Sequence, residues 1–144
     1  MPHRHQPRIS IEEFQALMNE AVPYVGLLKI KVEELGWGTA RLVLPPSDLI
    51  LRPGGTITGP AQMALADIAM YAIVMTRIGR VELAVTTNLA MNFLRRPAPS
   101  EITAHARLLK LGKRLAVGDI TLTSADGPDP VAHATATYSI PPLA

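Results

Sequence analysis

The chain has no cysteine among its 144 residues, which removes disulfides, thiolate chemistry and Cys-ligated metal. Aromatics make up only 4%, so aliphatic side chains must fill the core, and the stacking platforms that hold nucleic acid are missing. Charge is sparse too. Charged residues are 18% of the chain and the formal net charge is +2, with no basic stripe to read a phosphate backbone. Little charge with 48% hydrophobic content excludes a disordered chain and fits one domain with a real core. The most apolar stretch, residues 60–75, is shorter than the ~20 residues of a membrane span and carries Asp67 in its middle. The basic start, Met1-Pro2-His3-Arg4-His5, leads into no apolar signal core. Residues 1–9 read as a flexible terminus, and the protein as soluble and cytoplasmic, without nucleic-acid or membrane partners.

Asp67 is the most informative residue. It is the one charge in Pro60-Ala-Gln-Met-Ala-Leu-Ala-Asp-Ile-Ala-Met-Tyr-Ala-Ile-Val74, a helical segment with no polar stripe. Such a helix is expected to be wrapped by other structure on every side. Even a neutral polar group costs ~2–7 kcal/mol there without a partner. Asp67 is therefore either a structurally satisfied buried acid or a group with chemistry to do.

Around this helix the chain divides by its periodicity. Ser10 with Glu13 forms a capping box that opens a short helix over 10–20, with Ile11, Phe14, Leu17 and Met18 on one face. Alternation of Leu28, Ile30 and Val32 with Lys29, Lys31 and Glu33 predicts a strand over 25–33. Gly36-Trp37-Gly38 turns into a second strand over 39–44, and a Pro- and Gly-rich loop follows over 45–57. Thr58 or Gly59 caps the central helix, expected over 59–79, with Pro60 in its first turn and Gly79 at its end. Beyond it the period is two. Val85, Thr87, Leu89, Met91 and Phe93 share a face, followed by Ile102 to Leu108, Ala116 to Leu122 and Ala132 to Tyr138. Short turns between these strands imply antiparallel pairing. The expected fold is α+β, a single domain over 1–144 in which a curved antiparallel sheet wraps one long helix.

This order of elements is similar to a known family. The segment Gly55-x-x-Thr58-Gly59-Pro60-x-x-x-x-Leu65-x-Asp67 and the runs Asn92-Phe93-Leu94-Arg95 and Leu111-Gly112-Lys113-Arg114-Leu115-Ala116 resemble the PaaI-like acyl-CoA thioesterases of the hotdog superfamily, over about residues 20–141. Relatives carry Asn-x-x-Gly-x-x-His-Gly-Gly before the helix and an acid nine positions after the His. Here Arg52 stands at the Asn, Thr58 at the His and Pro60 at the second Gly, while Gly59 and Asp67 match.

The resemblance implies hydrolysis of an acyl-CoA thioester, medium-chain or aryl, with coenzyme A as part of the substrate and no separate cofactor. It also implies dimers, or tetramers built from them, with central helices antiparallel. Asp67 lies eight residues after Gly59, about 12 Å along the axis, so one carbonyl carbon cannot touch both groups of one helix. An enzyme would need a composite site, with Asp67 as general base or nucleophile and the Gly59 N–H of a partner chain as oxyanion donor. Thr87 aligns with a Ser or Thr that faces the acid across the interface in relatives, which implies water positioning.

Arg52 is either solvated or a binder of carboxylate or phosphate, and Thr58 either a helix cap or a substrate contact. Arg95-Arg96, Lys113 and Arg114 can grip the phosphates of coenzyme A or be solvated. His105 and His133 have no second ligand at metal spacing. Two other readings compete with hydrolysis. One is a non-catalytic acyl-CoA or lipid-binding hotdog protein, favoured by the three departures. The other is a hydratase on the same fold, disfavoured by the absence of His at 58.

Overall fold

The computed structural model describes residues 5–142. Two short helices come first, α1 (Ile11–Ala21) and α2 (Pro23–Leu28), then strands β1 (Lys31–Leu35) and β2 (Thr39–Leu44). The loop that follows holds a single 3-10 turn and a two-stranded hairpin, β3 (Leu51–Arg52) and β4 (Thr56–Ile57). The central helix α3 (Gly59–Ile78) leads to four long strands, β5 (Val85–Phe93), β6 (Ile102–Leu111), β7 (Leu115–Ser124) and β8 (Gly127–Ser139). Six strands make one antiparallel sheet in the order β1-β2-β6-β7-β8-β5. The sheet packs along one side of α3, chiefly through β6, β2, β7 and β8. This is the α+β hotdog architecture.

Alternation explains the sheet. Ala104, Ala106, Ala116, Ile120, Leu122, Ala132, Ala134, Ala136 and Tyr138 are buried while their neighbours in sequence, the buried Val131 apart, are exposed or half-buried. Small residues let the helix come close. A Cβ at Gly118 would lie 2.8 Å from Met70 Sδ, 2.9 Å from Ile73 Cδ1 and 3.0 Å from the Arg107 carbonyl oxygen. Ser10 caps α1 through a complete box with Glu13, and Phe14, Leu17 and Met18 close one end of the core.

Three expectations need correction. The strand over 25–33 is instead α2 followed by β1. Pro23 presets the first helical turn, and Lys29 then turns the chain in the left-handed region (φ 60) before β1 begins. Leu28, Ile30 and Val32 are buried as their spacing suggests, but not as one strand.

The terminus expected to be flexible is packed over part of its length. Arg8 N–H donates to the Thr76 carbonyl (2.8 Å), Ile9 is buried, and the His5 ring meets Trp37 edge-on. His3 lies outside the described residues.

The third correction concerns α3, which is not wrapped on every side. Pro60 and Met63 are exposed and Ala64, Asp67 and Ile68 half-buried, a stripe at the i, i+3, i+4, i+7, i+8 spacing of one helix face. Beside that stripe β5 forms the sheet edge, with Val85 and Phe93 exposed. By length and composition α3 could cross a membrane, yet most of it is buried inside the domain.

Candidate active site

Asp67 sits on the uncovered stripe, held from one side only. Its Oδ1 accepts a hydrogen bond from Thr86 Oγ1 at 2.6 Å and another from the Tyr138 hydroxyl at 2.9 Å. The same phenol lies 3.0 Å from the Asp67 backbone carbonyl. Burial, and then the Asp67 charge, push the Tyr138 phenol far above the usual tyrosine range, so it stays a donor. Its ring is braced by Tyr71, 6.0 Å between centroids, whose own hydroxyl donates to the Glu82 carbonyl. Oδ2 makes no hydrogen bond among the described residues and is not a sealed atom. A carboxylate oxygen in that state can take a proton from water or attack an electrophile.

At the other end of the stripe lies the N-terminus of α3. Gly54 (φ 95) and Gly55 (φ 76) make the β3–β4 turn, a conformation that suits glycine, and the chain then enters the helix through Thr58. The Thr58 hydroxyl accepts from Ala61 N–H (3.3 Å) and its carbonyl accepts from Gln62 N–H (3.3 Å). Pro60 has no N–H. The Gly59 N–H is therefore the first-turn donor left open among the described residues, at the positive end of the helix dipole.

Gly59 borders two cavities. One, of about 420 Å³, is lined by Tyr24, Leu27, Leu28, Leu49 and Ile50 together with Arg52 and residues 58–61. The other, of about 210 Å³, is lined by Arg52, Arg95, Arg96, Gln62 and Phe93 among others. An apolar recess and a cationic one thus flank the same glycine, with Arg52 on the rim of both. Gln62 is buried; its Nε2 donates to the Ile57 carbonyl, and its Oε1 has no partner. Arg95 donates to the Asp129 carbonyl (2.9 Å).

The expected site residues therefore fall into groups. Gly59, Arg52, Thr58 and Arg95 come together at the start of α3. Lys113 and Arg114 do not join them in this chain; they line an open groove of about 670 Å³ beside Ile78, roughly 28 Å away along the helix. Thr87 does not touch Asp67 of its own chain. A β-bulge between Thr86 and Asn88 shifts the phase of β5, so Thr86 reaches the acid while the exposed Thr87 hydroxyl donates to the Thr137 carbonyl (3.2 Å).

Thr86, Tyr138 and Gln62 were not anticipated. Only Tyr138 left a trace in the sequence, as a phenol on the inward face that would need a partner when buried. Among the described residues no group of three or more His, Asp and Glu side chains is placed to hold a metal.

Comparison with known proteins completes the picture. The family model described as "Thioesterase superfamily" matches residues 54–131, which include α3 and β5 to β7. A Saccharolobus solfataricus protein named as a candidate esterase is 30% identical over 115 residues, 80% of this chain and 75% of that one. The crystal structure of a candidate thioesterase from a Silicibacter species is 41% identical, with 95% of each chain covered and a TM-score of 0.86. A mutant of the phenylacetic acid degradation protein PaaI from Thermus thermophilus is 28% identical over 83% of this chain and 99% of that one, with a TM-score of 0.73. With the helix, sheet order and acid described above, these matches make the chain a member of the thioesterase superfamily, of the PaaI-like hotdog kind.

Proposed function

We propose that this thioesterase hydrolyses an acyl-CoA thioester with a medium-chain or aryl acyl group, and that it does so as a homodimer or as a tetramer built from two such dimers. The observation that carries the reading is the placement of two complementary groups on one uncovered helix face. They are a carboxylate with one open oxygen at Asp67 and an open N–H at Gly59. At about 12 Å apart along the axis, they cannot serve one carbonyl within a chain. An antiparallel second copy of α3 would set Asp67 against Gly59 of the partner subunit. The exposed face of α3 and the unpaired edge of β5 support that arrangement.

In the proposed reaction the thioester carbonyl oxygen lies on the Gly59 N–H of the partner subunit. Asp67 Oδ2 either takes a proton from water as the water adds to the carbonyl carbon, or adds itself and is released by water afterwards. The negative charge that develops on oxygen is stabilised by the N–H and the helix dipole. Collapse breaks the C–S bond, the thiol leaves with a proton, and the free acid remains. Arg52 and Arg95 favour the phosphates of coenzyme A, with Arg96 beside them, and the apolar recess next to Gly59 suits the acyl group. Thr58 lines that recess as a helix cap. Lys113 and Arg114 would reach a nucleotide only from another subunit, and Thr87 would contact water only across the interface.

A panel of acyl-CoA thioesters, followed by free thiol, tests the reading. The wild type turns over one or more of them, and Asp67→Asn and Asp67→Ala fall by at least about 10²-fold while keeping fold and assembly. Unchanged turnover in both variants would overturn it. The competing reading, a protein that binds acyl-CoA without cleaving it, draws on Thr58, whose hydroxyl is engaged in capping. Calorimetric binding with no thiol release by the wild type would favour it.

A further inference from the structure

We propose that Tyr138, together with Thr86, is a positioning residue for the hydrolysis, dedicating Oδ1 of Asp67 to the scaffold so that Oδ2 alone reacts. The inference rests on the reading of Asp67 given above. A carboxylate has two oxygens with about four acceptor sites. Here two hydroxyls converge on one oxygen, at 2.6 Å and 2.9 Å, and none among the described residues reaches the other. The asymmetry comes from the sheet. Thr86 and Tyr138 are direct cross-strand partners in the β5–β8 ladder, so their hydroxyls form a fork beneath the acid. The adjoining bulge sets the phase of β5 that lets Thr86 take part.

Tyr138 adds a second restraint. Its hydroxyl is 2.9 Å from Oδ1 and 3.0 Å from the backbone carbonyl of the same residue, so one phenol ties the side chain to its own helix turn. Ring contact with Tyr71, and of Tyr71 with Phe14, fixes the phenol in turn. Both members of the fork are neutral. They therefore hold the carboxylate without cancelling its charge, as a base or nucleophile requires. Reacting groups must be placed to about 1 Å, and a misplacement of that size can cost about 10²-fold.

A purely structural role, in which a buried phenol finds an acceptor, makes different predictions. Tyr138→Phe keeps the ring and removes only the hydroxyl. With the acyl-CoA on which the wild type is most active, the proposal expects kcat to fall at least about tenfold with KM within about twofold. Thr86→Val should lose a similar factor, and Thr86→Ser, which keeps the hydroxyl, should recover most of it. Circular dichroism and light scattering on each variant confirm fold and assembly. If Asp67→Ala is inactive while Tyr138→Phe and Thr86→Val retain wild-type kcat, the positioning role is overturned and the hydrolase reading stands. A rise in KM at constant kcat would overturn it equally. If Asp67→Ala keeps wild-type turnover, or the wild type releases no thiol, the underlying reading is what fails.

Discussion

The ring of Phe93 packs on Gly59 so closely that a Cβ built on the glycine would stand 3.4 Å from Cζ and 3.5 Å from Cε1. The end of β5 thus walls one side of the first turn of α3, and the open N–H is approached over a residue with no side chain. Gly59→Ala can be accommodated at that distance and gains helix propensity, so its stability should be at or slightly above wild type. Its methyl group occupies the approach to the donor. Turnover is expected to fall by about 10²-fold, the scale of one lost oxyanion contact. Steady-state kinetics beside thermal unfolding checks both halves, and full activity would place the oxyanion donor elsewhere.

A charge on the uncovered stripe should separate assembly from folding. Met63 is exposed there, one turn from Asp67. Met63→Glu places two like charges on a self-facing surface, one from each copy. The expected outcome is a folded monomer by light scattering with turnover reduced at least about 10²-fold. An active monomer would dismiss the composite site.

The cationic recess should act on binding more than on chemistry. Arg52→Ala and Arg95→Ala are expected to raise KM for acyl-CoA several-fold, with kcat changed little. Added salt should raise the wild-type KM in the same direction, because screening weakens partly exposed charge pairs. A truncated thioester without phosphates, such as an acyl-N-acetylcysteamine, should be indifferent to both. Equal losses on the two substrates would assign the arginines to the reacting end instead.

Alkaline solution should destabilise the fold through its buried phenols. Tyr138 is shifted far above the ordinary value of 10.0, by burial first and the Asp67 charge second, and Tyr71 is raised by burial and Glu82. The folded chain keeps these protons where an unfolded chain gives them up. Unfolding then releases protons, so stability is retained below about pH 10 and falls as pH rises beyond it. For Tyr138 the slope approaches about 1.4 kcal/mol per pH unit. Urea unfolding between about pH 8 and pH 11 measures it, and Tyr138→Phe should show the shallower decline.

Gly118→Ala tests the close seat of the helix. The added methyl meets Met70, Ile73 and the Arg107 carbonyl at 2.8–3.0 Å. The two side chains can yield, whereas the carbonyl belongs to the neighbouring strand. A loss of about 1–3 kcal/mol is expected, seen as a lowered Tm. An unshifted Tm would show that the sheet can give way there.

What could be read from residues alone was what local chemistry dictates. Ser10 with Glu13, Thr58 with Pro60, and Gly79 mark helix ends because capping acts within three or four residues. The last three strands were legible because their inward positions repeat every second residue, whereas in β5 the bulge sets Thr86, not Val85 and Thr87, on the side of Leu89 and Met91. Helix α2 was not, because six residues are too few to show a helical period and the alternation of Leu28, Ile30 and Val32 continues across the break. Nor was the fork at Asp67. The bulge at Thr86–Asn88 is a backbone event that leaves the composition of β5 unchanged, and Tyr138 meets Asp67 from 71 residues away. Arg52, Arg95 and Arg96 gather only once the hairpin and the end of β5 fold against the start of α3.

Residue 118 bears on how a substrate could get in. The thioether of Met70 and the tip of Ile73 rest on bare strand backbone, so α3 is seated closely on the sheet, and Gly59 and Asp67 keep the spacing that one helix gives them. Room for an acyl group bound as proposed is then set by what surrounds the start of the helix, the segment 45–57 with its two-residue strands and paired glycines. Substitutions there would tune which acyl groups enter and how fast products leave, without disturbing the spacing of the two groups on the helix.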